Sequence, residues 1–310
     1  MTFTGFETAD FDAFAPKKRK SNAYTLERRR VRDKLLALAH ALTPRLETAV
    51  DGLELATTED APAVSNGRSV DSMAAYWVRP APVRAALAPR QSTDLQAQTI
   101  FQIAVHQQHP HVRMGVTDRG FELGFRLPRA AKHDRTNASR KLRLDWAHEE
   151  WAEGTAGLGP EARFGTPGDL RRIGDWTAEG FSKLADDLDH DGELEGIQIF
   201  ERNDSTVATA ELVDRIVPAV KAWLRTLRFF AWSPTNDHSP VQAAVDEAIA
   251  EDEKKEAHSE LGPGDRVTIL SGLFAGRAGY LSEVDAKGRA KVMVGPVSVS
   301  VAVDELKGAS

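Results

Sequence analysis

The chain has no cysteine in its 310 residues. Disulfides, thiol catalysis and a cysteine zinc site are therefore excluded, and the composition suits a reducing compartment. It also has no run of 18 apolar residues, so no transmembrane helix and no membrane partner are expected. Residues Met1 to Phe14 lack a charged start followed by an apolar core, so no signal peptide is expected and the cytoplasm is the expected location. Three catalytic signatures are missing as well: the Gly-x-x-x-x-Gly-Lys-Ser/Thr loop, the Gly-x-Ser-x-Gly elbow and the His-Glu-x-x-His pair. Asp118 and Glu122 invite comparison with a nuclease, but Glu122 is followed by Leu123 and Gly124 where such a site needs a lysine. No catalytic residue is assigned. The formal net charge of −6 argues against a protein that coats nucleic acid, while leaving room for a local basic patch.

Charged residues at 28% and hydrophobic residues at 41% are ordinary for a globular chain, and the length fits one large domain plus a small one. Phe3, Phe6, Phe11 and Phe14 are placed to anchor the N-terminus on a core. The run Pro16 to Lys20 reads as an exposed basic loop. Val31, Leu35, Leu38, Leu42, Leu46 and Val50 recur at steps of three or four, which predicts a helix over 26–50, disturbed by Pro44. A polar loop is expected over 57–72. Strands are expected around Ile100 to Val105, over 111–116 and over 120–127, with a turn at Asp118 to Gly120. Helices are expected over 137–152, 178–188 and 211–232, the last disturbed by Pro218, with one more strand around Ile197 and Ile199. The segments interleave, so residues 1–235 read as one α+β or α/β domain. Residues 236–262 form an acidic, partly helical linker, and 263–310 a second, all-β unit.

In that last unit Val267 and Ile269 alternate with Arg266 and Thr268, and Gly272, Gly276 and Gly279 punctuate the turns that follow. Strands are expected at 279–284, 290–294 and 297–303, joined by short turns, as in a small SH3-like barrel. The order Gly264-Asp265-Arg266-Val267 through Gly276-Arg277-Ala278-Gly279-Tyr280 resembles a KOW motif, the β-barrel element of NusG-type transcription factors and several ribosomal proteins. Where NusG-type domains usually carry Phe-Gly-Arg-x-Thr-Pro-Val, this chain has Val294-Gly295-Pro296-Val297. The resemblance implies work in transcription or translation, with RNA polymerase, ribosome or RNA as partner. The N-terminal segment Phe3-Thr4-Gly5-Phe6, with Asp10 to Phe14 and Phe101 to Val105, is similar to YktB-like bacterial proteins, which implies an α/β fold and no settled activity.

Four constellations are candidates for chemistry. Arg126, Arg129, Lys132, Arg135, Arg140, Lys141 and Arg143 are opposed only by Asp134; the stretch reads either as a surface for phosphates of RNA or DNA or as a solvated helix start paired with acids elsewhere. Asp187, Asp189 and Asp191 followed by Gly192 match the start of a calcium loop, yet the twelfth position is Gln198 rather than glutamate. Calcium is the one cofactor this suggests, and an acidic turn ending a helix is the other reading. His106, His109 and His111 have spacing open to a transition metal, or to a polar hairpin end. In the barrel, Leu273, Phe274 and Arg277 lie in a glycine-flanked loop. The barrel's charges nearly cancel, six basic against five acidic, so a protein partner is expected over RNA, with Phe274 either its anchor or part of the core.

These observations together predict a non-enzymatic binding protein of transcription or translation. One alternative is a nucleic-acid-acting enzyme in the large domain recruited by the barrel, and another is a structural scaffold.

Overall fold

The computed structural model describes residues 2–91, 104–190, 192–238, 262–272, 274–284, 289–302 and 305–308. The chain divides into two compact units, Met1–Ser239 and Pro240–Ser310. Among the described residues the strands form two sheets, one of seven strands and one of five.

The helices of the first unit are α1 (Thr8–Asp12), α2 (Thr25–Leu46), α3 (Ala81–Gln91), α4 (Val105–Gln108), α5 (Lys132–Lys141), α6 (Asp145–Thr155), α7 (Ala178–Asp189) and α8 (Leu212–Phe230). Its strands are β1 (Glu54–Thr57), β2 (Ser72–Val78), β3 (His111–Thr117), β4 (Gly120–Leu127), β5 (Arg163–Thr166), β6 (Asp169–Arg172) and β7 (Leu194–Glu201), ordered β1-β2-β3-β4-β7-β5-β6. Each neighbouring pair runs antiparallel. The fold is therefore mixed α+β, and among the described residues the sheet is built from antiparallel pairs, not from the parallel crossovers of an α/β sheet.

The sheet has two different faces because side chains alternate along each strand. Met73, Ala75 and Trp77 of β2, Val112, Met114 and Val116 of β3, and Phe121, Leu123 and Phe125 of β4 enter the main core. Helices α2 and α8 close over that face. Val31, Leu35, Leu38, Leu42 and Leu46 of α2 are all at most 1% exposed, as their spacing predicts. The α-helix ends at Leu46, two residues past Pro44, and a tighter 3-10 turn takes over through Val50, starting at Glu47 with φ 52°. Pro44 lies in the last turn, where its missing N–H removes one ladder bond, and the left-handed φ of Glu47 ends the helix. In α8 the side chains of Ile216, Val220, Trp223, Leu227 and Phe230 are buried, and Phe230 stacks between Phe125 and Phe164 at 5.8 and 5.7 Å. The four N-terminal phenylalanines are buried as well, Phe6 stacking on Phe121 at 5.6 Å.

Several elements differ from the sequence expectation. Val105 begins one helical turn, α4, where a strand was expected; Ile100 to Ile103 lie outside the described residues. The helix expected over 137–152 is two helices, α5 and α6, broken at Leu142 to Leu144. Strand β2 has no counterpart in the expected elements. Six of its seven residues are buried, so burial on both faces erases the alternation that would have revealed it.

The second unit contains β8 (Arg266–Ile269), β9 (Ala278–Val284), β10 (Arg289–Val294), β11 (Val297–Ala302) and β12 (Leu306–Gly308). They form a curled antiparallel sheet ordered β11-β10-β9-β8-β12. Val267, Ile269, Leu281, Ala290, Val292, Val301 and Leu306 make its own small core. Gly272 and Gly276 have φ of 76° and 79°, a region that side-chain-bearing residues rarely adopt, so this turn depends on glycine.

Candidate functional site

The sheet face turned away from the main core is polar, and a cleft of about 1020 Å³ opens over it. Register assembles its floor. Tyr76 of β2 pairs with Arg113 of β3, which pairs with Gly124 of β4. One row along, His111 pairs with Arg126, which pairs with Glu195 of β7. On the other side, Gly115 pairs with Glu122. Arg113 thus stands between two glycines, one two places along its own strand and one across from it. A Cβ on Gly115 would lie 2.8 Å from Arg113 Nη2, and a Cβ on Gly124 would strike the carbonyl oxygen of Gly196 at 2.0 Å.

Charge in the cleft is unevenly satisfied. Arg19 at the rim donates to Asp118 at 2.9 Å. Glu122 is 5% exposed and accepts from Thr117 Oγ1 and Arg119 Nη2, both at 3.1 Å. Arg126 donates to Glu195 at 2.6 Å, while its buried Nε has no hydrogen-bond partner. The carboxylate oxygen nearest the Arg113 guanidinium belongs to Glu122, at 3.9 Å, beyond hydrogen-bonding reach, and the buried Arg113 Nε is also unpartnered. Burial lowers the Arg113 pKa below the ordinary guanidinium value, and Arg126 beside it acts in the same direction.

Three rings meet at one end of the cleft. Tyr76 lies 5.4 Å from His106 and 5.3 Å from His111, and the two imidazoles are 6.1 Å apart. Nδ1 of His111 is 2.9 Å from the carbonyl oxygen of His109, so Nδ1–H donates and Nε2 keeps its lone pair. Burial, reinforced by nearby arginine, pushes His106 down to about 4 and His111 down to about 3. Both rings are neutral at pH 7. His109, also pushed down to about 4 by burial, does not line the cleft; its nearest charges are Asp134, Arg79 and Arg84. The metal reading of these histidines thus loses its third ligand, and among the described residues no group of three histidine or acidic side chains is arranged to hold a metal.

The basic stretch from Arg126 to Arg143 is divided by the fold. Arg126 and Arg129 line the cleft, and Lys132 is exposed at the start of α5. Arg135 is buried and donates to the Leu188 carbonyl at 2.6 Å. Arg140 donates to the His238 carbonyl at 3.1 Å. Lys141 is buried, donates to the Phe229 carbonyl at 3.1 Å and to Asn236 Oδ1 at 3.0 Å, and lies over the Phe229 ring. Arg143 donates to Asp186 at 2.6 Å and Asp189 at 2.9 Å. The fold thus places two of the seven at the cleft, one exposed at the start of α5, and four against carboxylates and carbonyls of other segments, Arg143 among them still exposed.

The acidic turn changes as well. Helix α7 runs through Asp187 to Asp189, and residues two apart on a helix point to different sides. Asp189 also accepts from Ser139 at 2.6 Å and from Arg143; Asp191 lies outside the described residues. In the second unit Phe274 is half-buried and packs against the small core, Arg277 is exposed, and Leu273 lies outside the described residues. The sheet's outer face instead presents Tyr280, 60% exposed, paired with Arg266 on one side and Met293 on the other. Sequence reasoning passed over Tyr280 and Met293; the signal was their alternation with buried Leu281 and Val292.

Compared with known proteins, the chain matches no family model and no curated protein. Among the described residues no helix is long and apolar enough to cross a membrane.

Proposed function

We propose that the chain is a non-enzymatic binding protein of gene expression, whose C-terminal unit is a KOW-type SH3-like barrel that docks on a protein of the transcription or translation machinery in the cytoplasm. The observation that carries this reading is the exposed cross-strand row Arg266, Tyr280, Met293 and Ser298. Aromatic, methionine and arginine side chains are enriched in protein interfaces, and a tyrosine flanked by such neighbours has the composition of a hot spot. The near-balance of charge in this unit favours a protein surface over RNA. The half-buried position of Phe274 moves the proposed anchor from Phe274 to Tyr280.

An enzyme in the N-terminal unit draws less support. Asp118 is paired with Arg19 through one oxygen, and Glu122 accepts from Thr117 and Arg119 through one oxygen, so both carboxylates serve in part to hold their neighbours.

The test is direct binding of the full chain to purified RNA polymerase, to ribosomes and to a single-stranded RNA. Binding to one of the two assemblies, lost in Tyr280→Ala with unchanged melting, is the expected result. Binding to RNA alone, or full binding by Tyr280→Ala, rejects the reading.

A further inference from the structure

We propose that the cleft on the open face of the seven-stranded sheet binds a phosphorylated small molecule, with its phosphate seated on Arg113 and Arg126. This concerns the N-terminal unit alone and stands whether or not the C-terminal unit docks as proposed above.

Arg113 carries the argument. Its side chain is 17% exposed, and no hydrogen bond from it is made among the described residues. A guanidinium taken out of water without hydrogen bonds costs stability. The surrounding sequence nevertheless keeps room for it: Gly115 leaves the space its Nη2 occupies, and Gly124 opposes it with no side chain. A cleft position shaped this way serves an anion better than it serves folding.

Arg126 supplies the second cation. Arg113 faces Gly124 and Arg126 faces His111, so the two arginines are diagonal neighbours on one face, with Cα atoms roughly 7–8 Å apart in such a register. That is close enough for two long side chains to reach one anion. Only one arm of Arg126 is committed, to Glu195. Without an anion the two guanidinium groups repel; a dianion between them reverses that term.

The number of donors selects phosphate over carboxylate. One guanidinium fork engages both oxygens of a carboxylate, whereas the three terminal oxygens and double charge of a phosphate monoester let two forks bind side by side. The volume of about 1020 Å³ is far larger than an inorganic ion, so the ligand has a body. Acceptors suited to its hydroxyl or N–H groups are present in Glu122 and in the lone pair of His111. The acids Asp71, Asp118 and Glu193 also line the cleft and disfavour an extended polyanion such as RNA or DNA.

The experiment measures melting of the full chain at pH 7.5 in a buffer free of phosphate. Inorganic phosphate, pyrophosphate and acetate are titrated at matched ionic strength. Phosphate and pyrophosphate should raise the melting temperature saturably while acetate does not. Arg113→Gln should weaken the phosphate response by about tenfold or more, yet melt at or above the wild type without ligand, because it removes a buried cation that has no bond. Arg113→Lys, which keeps the charge and loses the fork, should fall between the two. The proposal is overturned by an equal response to acetate, by no saturable response to either phosphate, or by an unaltered response in Arg113→Gln. Melting of unliganded Arg113→Gln well below the wild type would also overturn it, by showing that Arg113 serves folding.

Discussion

A Cβ on Gly115 would stand 2.8 Å from Nη2 of Arg113, so the side chain that one residue lacks is the space the other fills. The end of an arginine can swing aside, but a strand backbone cannot. Gly115→Ala should therefore cost less than about 1 kcal/mol, while Gly124→Ala, which meets the Gly196 carbonyl at 2.0 Å, should cost about 1–3 kcal/mol or more. Urea unfolding of the two variants decides it. Equal losses would show that the recess around Arg113 is not shaped as described.

Asp134 is the only acid in the basic stretch, and the fold gives it a structural task. It is fully buried, takes Arg79 Nη1 at 3.0 Å and the Trp232 N–H at 2.8 Å, and so ties the end of β2 to α5 and to the chain leaving α8. Asp134→Ala leaves the Arg79 charge buried without its acid. A loss of about 3–5 kcal/mol is expected in denaturant unfolding. A loss below about 1 kcal/mol would count against the pair as a tie.

Stability should fall on mild acidification. His106 and His109 lie at about 4 and His111 at about 3 in the folded chain, all below the ordinary imidazole value of about 6.5. A depressed folded-state pKa means that the unfolded chain binds more protons, so this contribution is complete above pH ~6.5 and is lost as pH falls toward 4 and 3. With three protons taken up on unfolding, the slope near pH 5 approaches about 4 kcal/mol per pH unit as an upper limit. Urea unfolding from pH 8 to 4.5 measures it, and His111→Phe should flatten the curve. A flat wild-type profile would show that the rings are solvated.

The C-terminal unit separates packing from docking. Phe274 is half-buried and packs against the small core, whereas Tyr280 faces outward. Phe274→Ala should cost about 1–3 kcal/mol, less than the full cost for a wholly buried phenylalanine. Tyr280→Ala should stay within about 0.5 kcal/mol of the wild type. Amide spectra and unfolding of residues 262–310 measure both, provided that this segment folds alone, as its separate core implies; a collapsed spectrum for the wild-type segment would reject that independence.

Much of the architecture can be read from local pattern. The buried stripe of α2, the outward face of β4 and the glycine turn at Gly272 and Gly276 follow from periodicity and backbone sterics, which act over a few residues. Strand β2 could not be read this way, because Met73 to Val78 put apolar or aromatic residues on both faces, and such a strand has no period. Nor could the fate of the arginines. Arg135 and Arg143 look alike in sequence to Arg126 and Arg129, yet the first two end against Leu188 and Asp189 and the last two line a cleft. Charge is visible in a sequence; its partner is not, since ion pairs form between segments far apart along the chain.

What the sequence determined by itself, then, is the list of elements with a clear period, the absence of thiol chemistry and the compact β unit at the C-terminus. What only the tertiary structure decided is the cleft, since Tyr76, Arg113 and Gly124 become neighbours through the register of three antiparallel strands. A shift of one residue in that register would turn each of these side chains to the opposite face, so the site exists only once the sheet has paired.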